Sequence, residues 1–376
     1  MIIDSHVYCF PPADSPAGYA STEEHMRWVQ AGQAGHYQPA FDIATREVGS
    51  SLPLAPDGTK DLARLPDVGF RVDSEAGRIL WTADGRDFTK HYYPPSLRDC
   101  AYPPAGLVSE MDYAGVDMAF LHTHPMLARD SAYQAACIAR FPGRLLSMAP
   151  VDEGRIRDDV DAVIGDMAEA IETHRLHAIK FNGASAYMAS ADPWDDGFYR
   201  PFWEAATALS VPIFFTLDNG PEHASWENSR QHQAGYLNEL AILTRWMERY
   251  PDTLCSITHG FPYRTFMEEG RIGLPEEIWR PFENPNLSIE ASFPVRIGDM
   301  FEFPYSEIWP AIQEMVDRIG AGQLMWGTDL PFQNRHCTYL QSRALLERYC
   351  AFLDADQTAA IMGGTAARVL GLEHGG

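Results

Sequence analysis

The chain has 376 residues, of which 45% are hydrophobic, and a formal net charge of −23. This charge repels a phosphate backbone, which argues against nucleic acid as a partner, and no apolar run of about 18 residues indicates a membrane span. The first ten residues lack the basic and apolar parts of a signal peptide, and the six cysteines lack CxxC spacing. We therefore expect a cytoplasmic protein with reduced thiols and a small-molecule ligand.

Eight short apolar runs, rich in β-branched and aromatic residues, predict eight strands. In chain order they span residues 2–8, 117–123, 145–151, 178–183, 212–217, 254–260, 287–292 and 324–329. The segments between them carry a helical period, as in the stripe formed by Val160, Val163 and Met167. Alternating strands and helices predict an α/β fold with a parallel sheet, and eight units predict closure into a (β/α)₈ TIM barrel.

One long segment, residues 11–107, breaks this alternation and is rich in proline, glycine and aromatic residues. It is far longer than an ordinary connection, and it follows the first strand. We expect it to cap the carboxyl ends of the strands and shape a pocket; a surface insertion without such a role is the alternative. Its aromatic residues, Tyr37 and Tyr92 among them, predict either an aromatic substrate body or a small core of the cap. We interpret residues 1–376 as a single barrel domain carrying this cap.

Polar residues recur where the predicted strands end. The carboxyl ends of barrel strands carry the catalytic side chains in this fold, so these residues are expected to share one site. A single histidine at a strand end is usually structural, but a series of titratable residues at successive ends favours an active site. The residues concerned are Asp4, His6, Tyr8, His122, Lys180, Thr216, His259, Glu290 and Asp329.

Four motifs give these positions a family context. They are IIDSH in the first strand, ITHG in the sixth, WGTDLPF in the eighth and IMGGTAARVLGL near the end. Together they resemble the amidohydrolase superfamily, in the branch of amidohydrolase-2-type hydrolases and of the aminocarboxymuconate-semialdehyde and resorcylate decarboxylases. The resemblance covers the first strand and about residues 108–372, and leaves out the cap. It also allows a homodimer, because dimers are common among similar barrels.

The resemblance implies one divalent metal, held by an HxH pair on strand one, a histidine on strand five and an aspartate on strand eight. Here His6 and Asp329 match, whereas Tyr8 and Thr216 stand at two ligand positions and are not usual zinc ligands. Two alternatives stay open. A metal such as zinc could bind through His6 and Asp329, completed by another strand-end residue (Glu290, His122 or His259). Otherwise, Asp329 could activate water without a metal.

The remaining polar residues are interpreted as substrate contacts. Lys180 is expected to anchor a substrate carboxylate or oxyanion, with a structural ion pair to Glu290 or Asp329 as the alternative. Arg264 and Arg296, just beyond strands six and seven, are further candidate anchors for an anion. We expect the substrate pocket to be lined by Tyr8, His122, Thr216 and Glu290.

The leading functional hypothesis is hydrolysis of an ester, lactone or amide bond in a small carboxylate-bearing molecule. Asp329 would be the general base for water, and His259 and Lys180 would stabilise the oxyanion. The first alternative is non-oxidative decarboxylation of an aromatic or muconate-like acid. The second alternative is a barrel that binds a ligand without catalysis.

Overall fold

The central sheet of the protein is a barrel of eight parallel strands. The computed structural model describes residues 1–59, 61–221 and 229–372. The strands are β1 Ile3–Val7, β2 Met118–Leu121, β3 Leu145–Ala149, β4 Ala178–Asn182, β5 Ile213–Thr216, β6 Cys255–Ile257, β7 Leu287–Ser292 and β8 Leu324–Trp326. Each strand pairs with the next, and the Tyr8 N–H donates to Leu330 O at 2.9 Å, which joins the end of β1 to the chain after β8. The predicted TIM barrel is confirmed, and each predicted strand overlaps an observed one.

Helices surround the barrel between the strands. The apolar stripe predicted around Val163 and Met167 is buried on the helix Val160–Glu172, which Asp159 caps by accepting the Ala162 N–H. After β6, a 3₁₀ segment at Glu276–Glu283 stands in place of an α-helix. The α-helices after β1 are Thr22–Gly35, Pro104–Ala114, Ser131–Arg140, Val160–Glu172, Gly183–Ala189, Arg200–Ala208, Ser229–Arg249, Pro294–Ile297, Trp309–Ile319, Tyr339–Ala344, Ala355–Ala359 and Thr365–Val369.

The amino ends of the strands are covered by the last helical segment of the chain. Ala366 and Val369 on the helix Thr365–Val369 pack in one apolar cluster with residues of the barrel floor, including Ile3 and Met325. The chain passes so close to β1 that a Cβ at Gly363 would lie 2.3 Å from Met1 O. This close approach explains a glycine in the IMGGTAARVLGL motif, and it leaves the opposite end of the barrel for the functional site.

Residues 11–107 contain the helix Thr22–Gly35 and a five-stranded antiparallel sheet. In sheet order its strands are Val48–Gly49, Ala40–Asp42, Arg86–Lys90, Arg78–Ala83 and Arg71–Asp73. Tyr19 donates its hydroxyl to Pro125 O and Tyr37 donates to Val295 O, at 2.9 and 3.1 Å. These acceptors follow β2 and β7, so the segment lies against loops at the carboxyl ends of the strands. The barrel helix Pro104–Ala114 begins inside the segment.

Two expectations about the whole chain can be compared with the structure. Each of the six cysteines is a free, buried thiol. In the described parts of the chain, the helices lack the combination of length and apolar character that crossing a bilayer requires.

Candidate active site

His6 lies at the centre of the strand-end cluster. Alternation along β1 turns Asp4, His6 and Tyr8 to the same side of the sheet. The Nδ1 atom of His6 lies 2.9 Å from Glu290 Oε1, and Nε2 lies 3.0 Å from the Tyr8 hydroxyl. Burial lowers the pKa of His6 well below its ordinary value, so the ring is neutral. When Glu290 is ionised, Nδ1–H donates to it, and Nε2 is left as the acceptor that faces Tyr8 and Asp329.

Glu290 is held beneath the site on β7. Besides contacting His6, its carboxyl accepts the backbone N–H of His259. A Cβ at Gly327 would lie 2.9 Å from the Glu290 Cδ atom, so the glycine of the WGTDLPF motif makes room for this carboxyl. Burial raises the pKa of Glu290 to about 8. Sequence analysis assigned Glu290 to substrate binding, but its contacts position His6 and His259.

Lys180 and His122 form a second buried pair. Lys180 Nζ lies 2.9 Å from His122 Nδ1, and His122 Nε2 lies 2.9 Å from Ser5 O. A carbonyl oxygen only accepts, so Nε2 carries the proton and Nδ1 accepts from Lys180. Both nitrogens of His122 are therefore engaged within the protein. Burial lowers the pKa of Lys180 to about 8, and within the described residues Lys180 makes no salt bridge, in contrast to the ion-pair alternative.

Asp329 presents the free carboxyl of the site. Its side chain is 11% exposed, and Oδ1 lies 3.6 Å from His6 Nε2. No donor in the described part of the chain hydrogen-bonds this carboxyl. Asp4, by contrast, accepts from the Thr328 hydroxyl at 2.6 Å and from the His6 backbone N–H at 3.1 Å, so it holds the ends of β1 and β8 together and does not orient an imidazole ring. Burial raises the pKa of Asp329 well above its ordinary value, although the charge of Arg335 opposes the shift.

His259 is positioned by a pair of threonines. Its Nδ1 atom lies 3.2 Å from the Thr258 hydroxyl, which lies 2.8 Å from the Thr216 hydroxyl. The hydroxyl of Thr216 therefore contacts the residue before His259, and its contact with substrate stays a prediction. His259 and Asp329 both have left-handed backbone conformations, with φ of 69° and 65°. Such conformations are uncommon outside glycine and concentrate at functional sites.

Three of these side chains fit a divalent cation. Candidate ligand atoms of His6, His259 and Asp329 all lie within 4.8 Å of one another. Two neutral imidazoles and a carboxylate are a normal donor set for such an ion, and Glu290 behind His6 is the usual outer partner of a ligating histidine. A second group, His6 with His122 and Glu290, is equally compact. It fits less well, because the one lone pair of the His122 ring, on Nδ1, already accepts from the Lys180 amine, whose ammonium form would repel a cation there.

The arginines near the site differ in their availability. Arg264 forms an ion pair with Asp299, and its side chain is 56% exposed. Arg296 is partly buried, and no hydrogen bond or ion pair within the described ranges involves its guanidinium. Its charge lowers the pKa of His6 and His259. Arg335 was missed by sequence analysis. The available signal was its position, six residues after Asp329 on the loop that follows β8.

The TIM barrel, with His6, His259 and Asp329 at its strand ends, agrees with the resemblance to the amidohydrolase superfamily that the sequence motifs indicated. The family model described as Amidohydrolase (Amidohydro_2) matches residues 3–372, and the chain belongs to this family. A search of curated protein sequences found no match.

Solved structures share the barrel at low sequence identity. A candidate 2-pyrone-4,6-dicarboxylic acid hydrolase from Pseudomonas putida has a TM-score of 0.55 and 16% identity, over 75% of this chain and 90% of that one. An amidohydrolase from Burkholderia multivorans has a TM-score of 0.53 and 13% identity, over 72% and 89%. A 2,6-dihydroxybenzoate decarboxylase from Rhizobium has a TM-score of 0.51 and 18% identity, over 71% and 88%. These likenesses show a common fold.

Proposed function

We propose that the protein hydrolyses an ester, lactone or amide bond in a small carboxylate-bearing organic molecule. The observation that supports this proposal is the free carboxyl of Asp329. Asp4 and Glu290 are each held by hydrogen-bond donors of the protein. A general base needs a lone pair that faces the substrate, and Asp329 is the carboxylate of this cluster that meets the requirement.

In the proposed reaction, Asp329 removes a proton from water while the water oxygen bonds to the substrate carbonyl carbon. The oxygen that becomes negative receives hydrogen bonds from Lys180 and His259. The carbon–oxygen or carbon–nitrogen bond then breaks, and the proton held by Asp329 passes to the leaving atom. The products are a carboxylic acid and an alcohol or amine, or one hydroxy acid if the substrate is a lactone.

Arg296 is the proposed anchor for the substrate carboxylate, because its guanidinium has no ion pair within the described residues, whereas Arg264 is neutralised by Asp299. Tyr8 lines the site beside His6. In the metal-dependent alternative, a divalent cation bound by His6, His259 and Asp329 would take over the roles of base and oxyanion donor from Asp329 and His259, because it would lower the pKa of a bound water or polarise a substrate oxygen. We also propose that residues 1–376 act as a single barrel domain, with residues 11–107 as its cap, and that a small molecule is the partner.

Decarboxylation is the second candidate, and the raised pKa of Asp329 favours it. A protonated Asp329 could donate its proton to the substrate carbon as the carbon–carbon bond to the carboxylate breaks and carbon dioxide leaves. Asp329 would then recover a proton from solvent. The same cationic groups, Lys180 and Arg296, would hold the carboxylate before cleavage.

Turnover in H₂¹⁸O separates the two reactions. Hydrolysis of carboxylate-bearing aryl esters or lactones places one ¹⁸O in the organic product, whereas decarboxylation of phenolic acids releases carbon dioxide and leaves the organic product without ¹⁸O. Asp329→Asn should lower kcat at least about 100-fold, the usual contribution of a general base. Glu239→Gln, which changes a buried carboxyl on the outer helix Ser229–Arg249, is the matched control. Undiminished turnover by Asp329→Asn would refute both mechanisms.

A further inference from the structure

We infer that Arg335 and residues of the cap form a second anion-binding subsite beside Asp329, and that the substrate therefore carries two carboxylates. This inference rests on the proposed function and narrows its substrate class. It concerns residues 330–335, which follow Asp329, and the insertion at 11–107, where sequence analysis assigned no catalytic, substrate-anchoring or metal-binding residue.

Two backbone carbonyls accept hydrogen bonds from the guanidinium of Arg335. Its Nε atom donates to Phe332 O at 3.0 Å, and Nη1 donates to His91 O of the cap at 3.3 Å. Nη2 is buried, and no partner for it exists in the described part of the chain. Buried donors in folded proteins nearly always have partners, so a buried, unpartnered N–H₂ group of a cation indicates a place for an anion.

Further polar atoms without partners come from the cap. The ring of Tyr92 lies between two polar side chains. Its centroid is 5.6 Å from Arg335 Cζ and 4.4 Å from the ring centroid of His36. His36 Nδ1 and both polar atoms of the Gln38 amide are buried, and among the residues described none of them has a hydrogen bond of good geometry, although Gln38 lies beside His36 and raises its pKa. A carboxylate could accept from both Arg335 Nη2 and the Gln38 N–H₂ group, which would satisfy two of these groups at once.

This group of residues adjoins the reacting carboxyl. The Phe332 N–H donates to Asp329 O at 2.7 Å, and Phe332 O accepts from Arg335 Nε at 3.0 Å, so one short turn joins Arg335 to Asp329. Tyr92 packs on Phe332, with ring centroids 4.8 Å apart. Arg335 and the cap therefore border the mouth of the barrel at β8.

Arg296 reaches the same mouth from the loop after β7 and also lacks a counter-ion. The chain has 52 acidic and 29 basic side chains, so carboxylates that could pair with an arginine are in excess. Even so, no carboxylate within the described ranges pairs with Arg296 or Arg335. Two guanidiniums that have no ion pair among the described residues, on the segments that follow β7 and β8, match two separate carboxylates.

The test uses isothermal titration of the full chain with two probes, benzoate and isophthalate, which carry one and two carboxylates on the same ring. In the wild type, the Kd for isophthalate should be at least about 10-fold lower than the Kd for benzoate, as two charge-assisted contacts would give. The ratio to follow is the Kd for benzoate divided by the Kd for isophthalate. Arg335→Gln should bring this ratio close to one. Arg264→Gln, which changes an arginine already paired with Asp299, should leave the ratio unchanged.

Gln38→Leu is the second variant, because it removes an unpartnered buried amide and is expected to fold even if Arg335→Gln does not. It should lower the ratio several-fold. A wild-type ratio below two, no measurable binding of isophthalate, or a ratio that neither variant changes would overturn the inference. Binding is measured without turnover, so these outcomes are distinct from a failure of hydrolysis in the ¹⁸O experiment.

Discussion

The buried carboxyl of Glu239 should make the stability of the protein depend on pH, and Glu239→Gln should remove that dependence. Glu239 is fully buried, and it accepts from Trp194 Nε1 at 3.0 Å and from the Tyr187 hydroxyl. Both donors are neutral, and no salt bridge of Glu239 occurs in the described ranges. Burial consequently raises the pKa of this carboxyl from 4.5 to about 7.

The sign of the effect follows from the raised pKa. The folded protein binds this proton more tightly than the unfolded chain, so the stabilisation is complete below pH 4.5 and is lost as the pH rises through about 7. At about 1.4 kcal/mol per pKa unit, the free energy of unfolding should fall by roughly 3 kcal/mol across this interval from Glu239 alone. A glutamine keeps an acceptor for Trp194 and does not titrate. The variant should therefore gain stability relative to the wild type as the pH rises.

Urea unfolding followed by tryptophan fluorescence at pH 5 and pH 8 measures this difference. At each pH, the free energy of unfolding of the wild type is subtracted from that of Glu239→Gln. This difference should be larger at pH 8 than at pH 5 by most of the roughly 3 kcal/mol. Glu277→Gln, which makes the same change at an exposed acid, is the matched control. A pH-independent difference for Glu239→Gln would refute the assignment of a raised pKa to this carboxyl.

Two further predictions concern the active site. Because burial lowers the pKa of Lys180 to about 8, its ammonium loses charge above that pH, and kcat/KM should fall there. The pH profile of Lys180→Met should lack this limb, and a wild-type profile that is flat between pH 7 and 9 would contradict the role. Elemental analysis after incubation with zinc should find about one ion per chain, and Glu290→Gln should weaken binding about 10- to 100-fold by freeing the His6 ring. Unchanged affinity would exclude Glu290 as the outer partner of a ligand.

The sequence predicted the barrel well because its signal is local. Each strand is a short apolar run, and the polar residue that ends it must lie at the rim once the strands are parallel. His6, His259 and Asp329 were therefore brought together correctly. The sequence could not show that the carboxyl of Asp329 is free whereas that of Glu290 is hydrogen-bonded within the protein. The partner of Glu290 is His6, which lies 284 positions away in the chain. That choice depends on side-chain orientation in the closed barrel.

The cap was less predictable, for two physical reasons. Its hairpin, which pairs Arg78–Ala83 with Arg86–Lys90, is formed by residues close together in the sequence. The first reason is that the sheet of the cap pairs strands from distant parts of the segment, such as Ala40–Asp42 with Arg86–Lys90. The second is that the motifs of the family resemblance do not extend to the cap. Arg335 was missed for the same reason, since its orientation depends on the His91 carbonyl of the cap.

The contact between the first strand and the end of the chain has a consequence for folding. The Ser5 hydroxyl donates to Trp326 O across 321 positions, and Gly363 packs against the Met1 carbonyl. During synthesis β1 is made before the other strands of the barrel, whereas its neighbour β8 and the helix that covers its amino end are made after them. Contacts this distant along the chain slow folding, because a long loop must close first. We expect β1 to remain without its complete set of neighbours until β8 and this helix have been made, and pulse-labelled hydrogen exchange should find the amide of Tyr8 among the last to be protected.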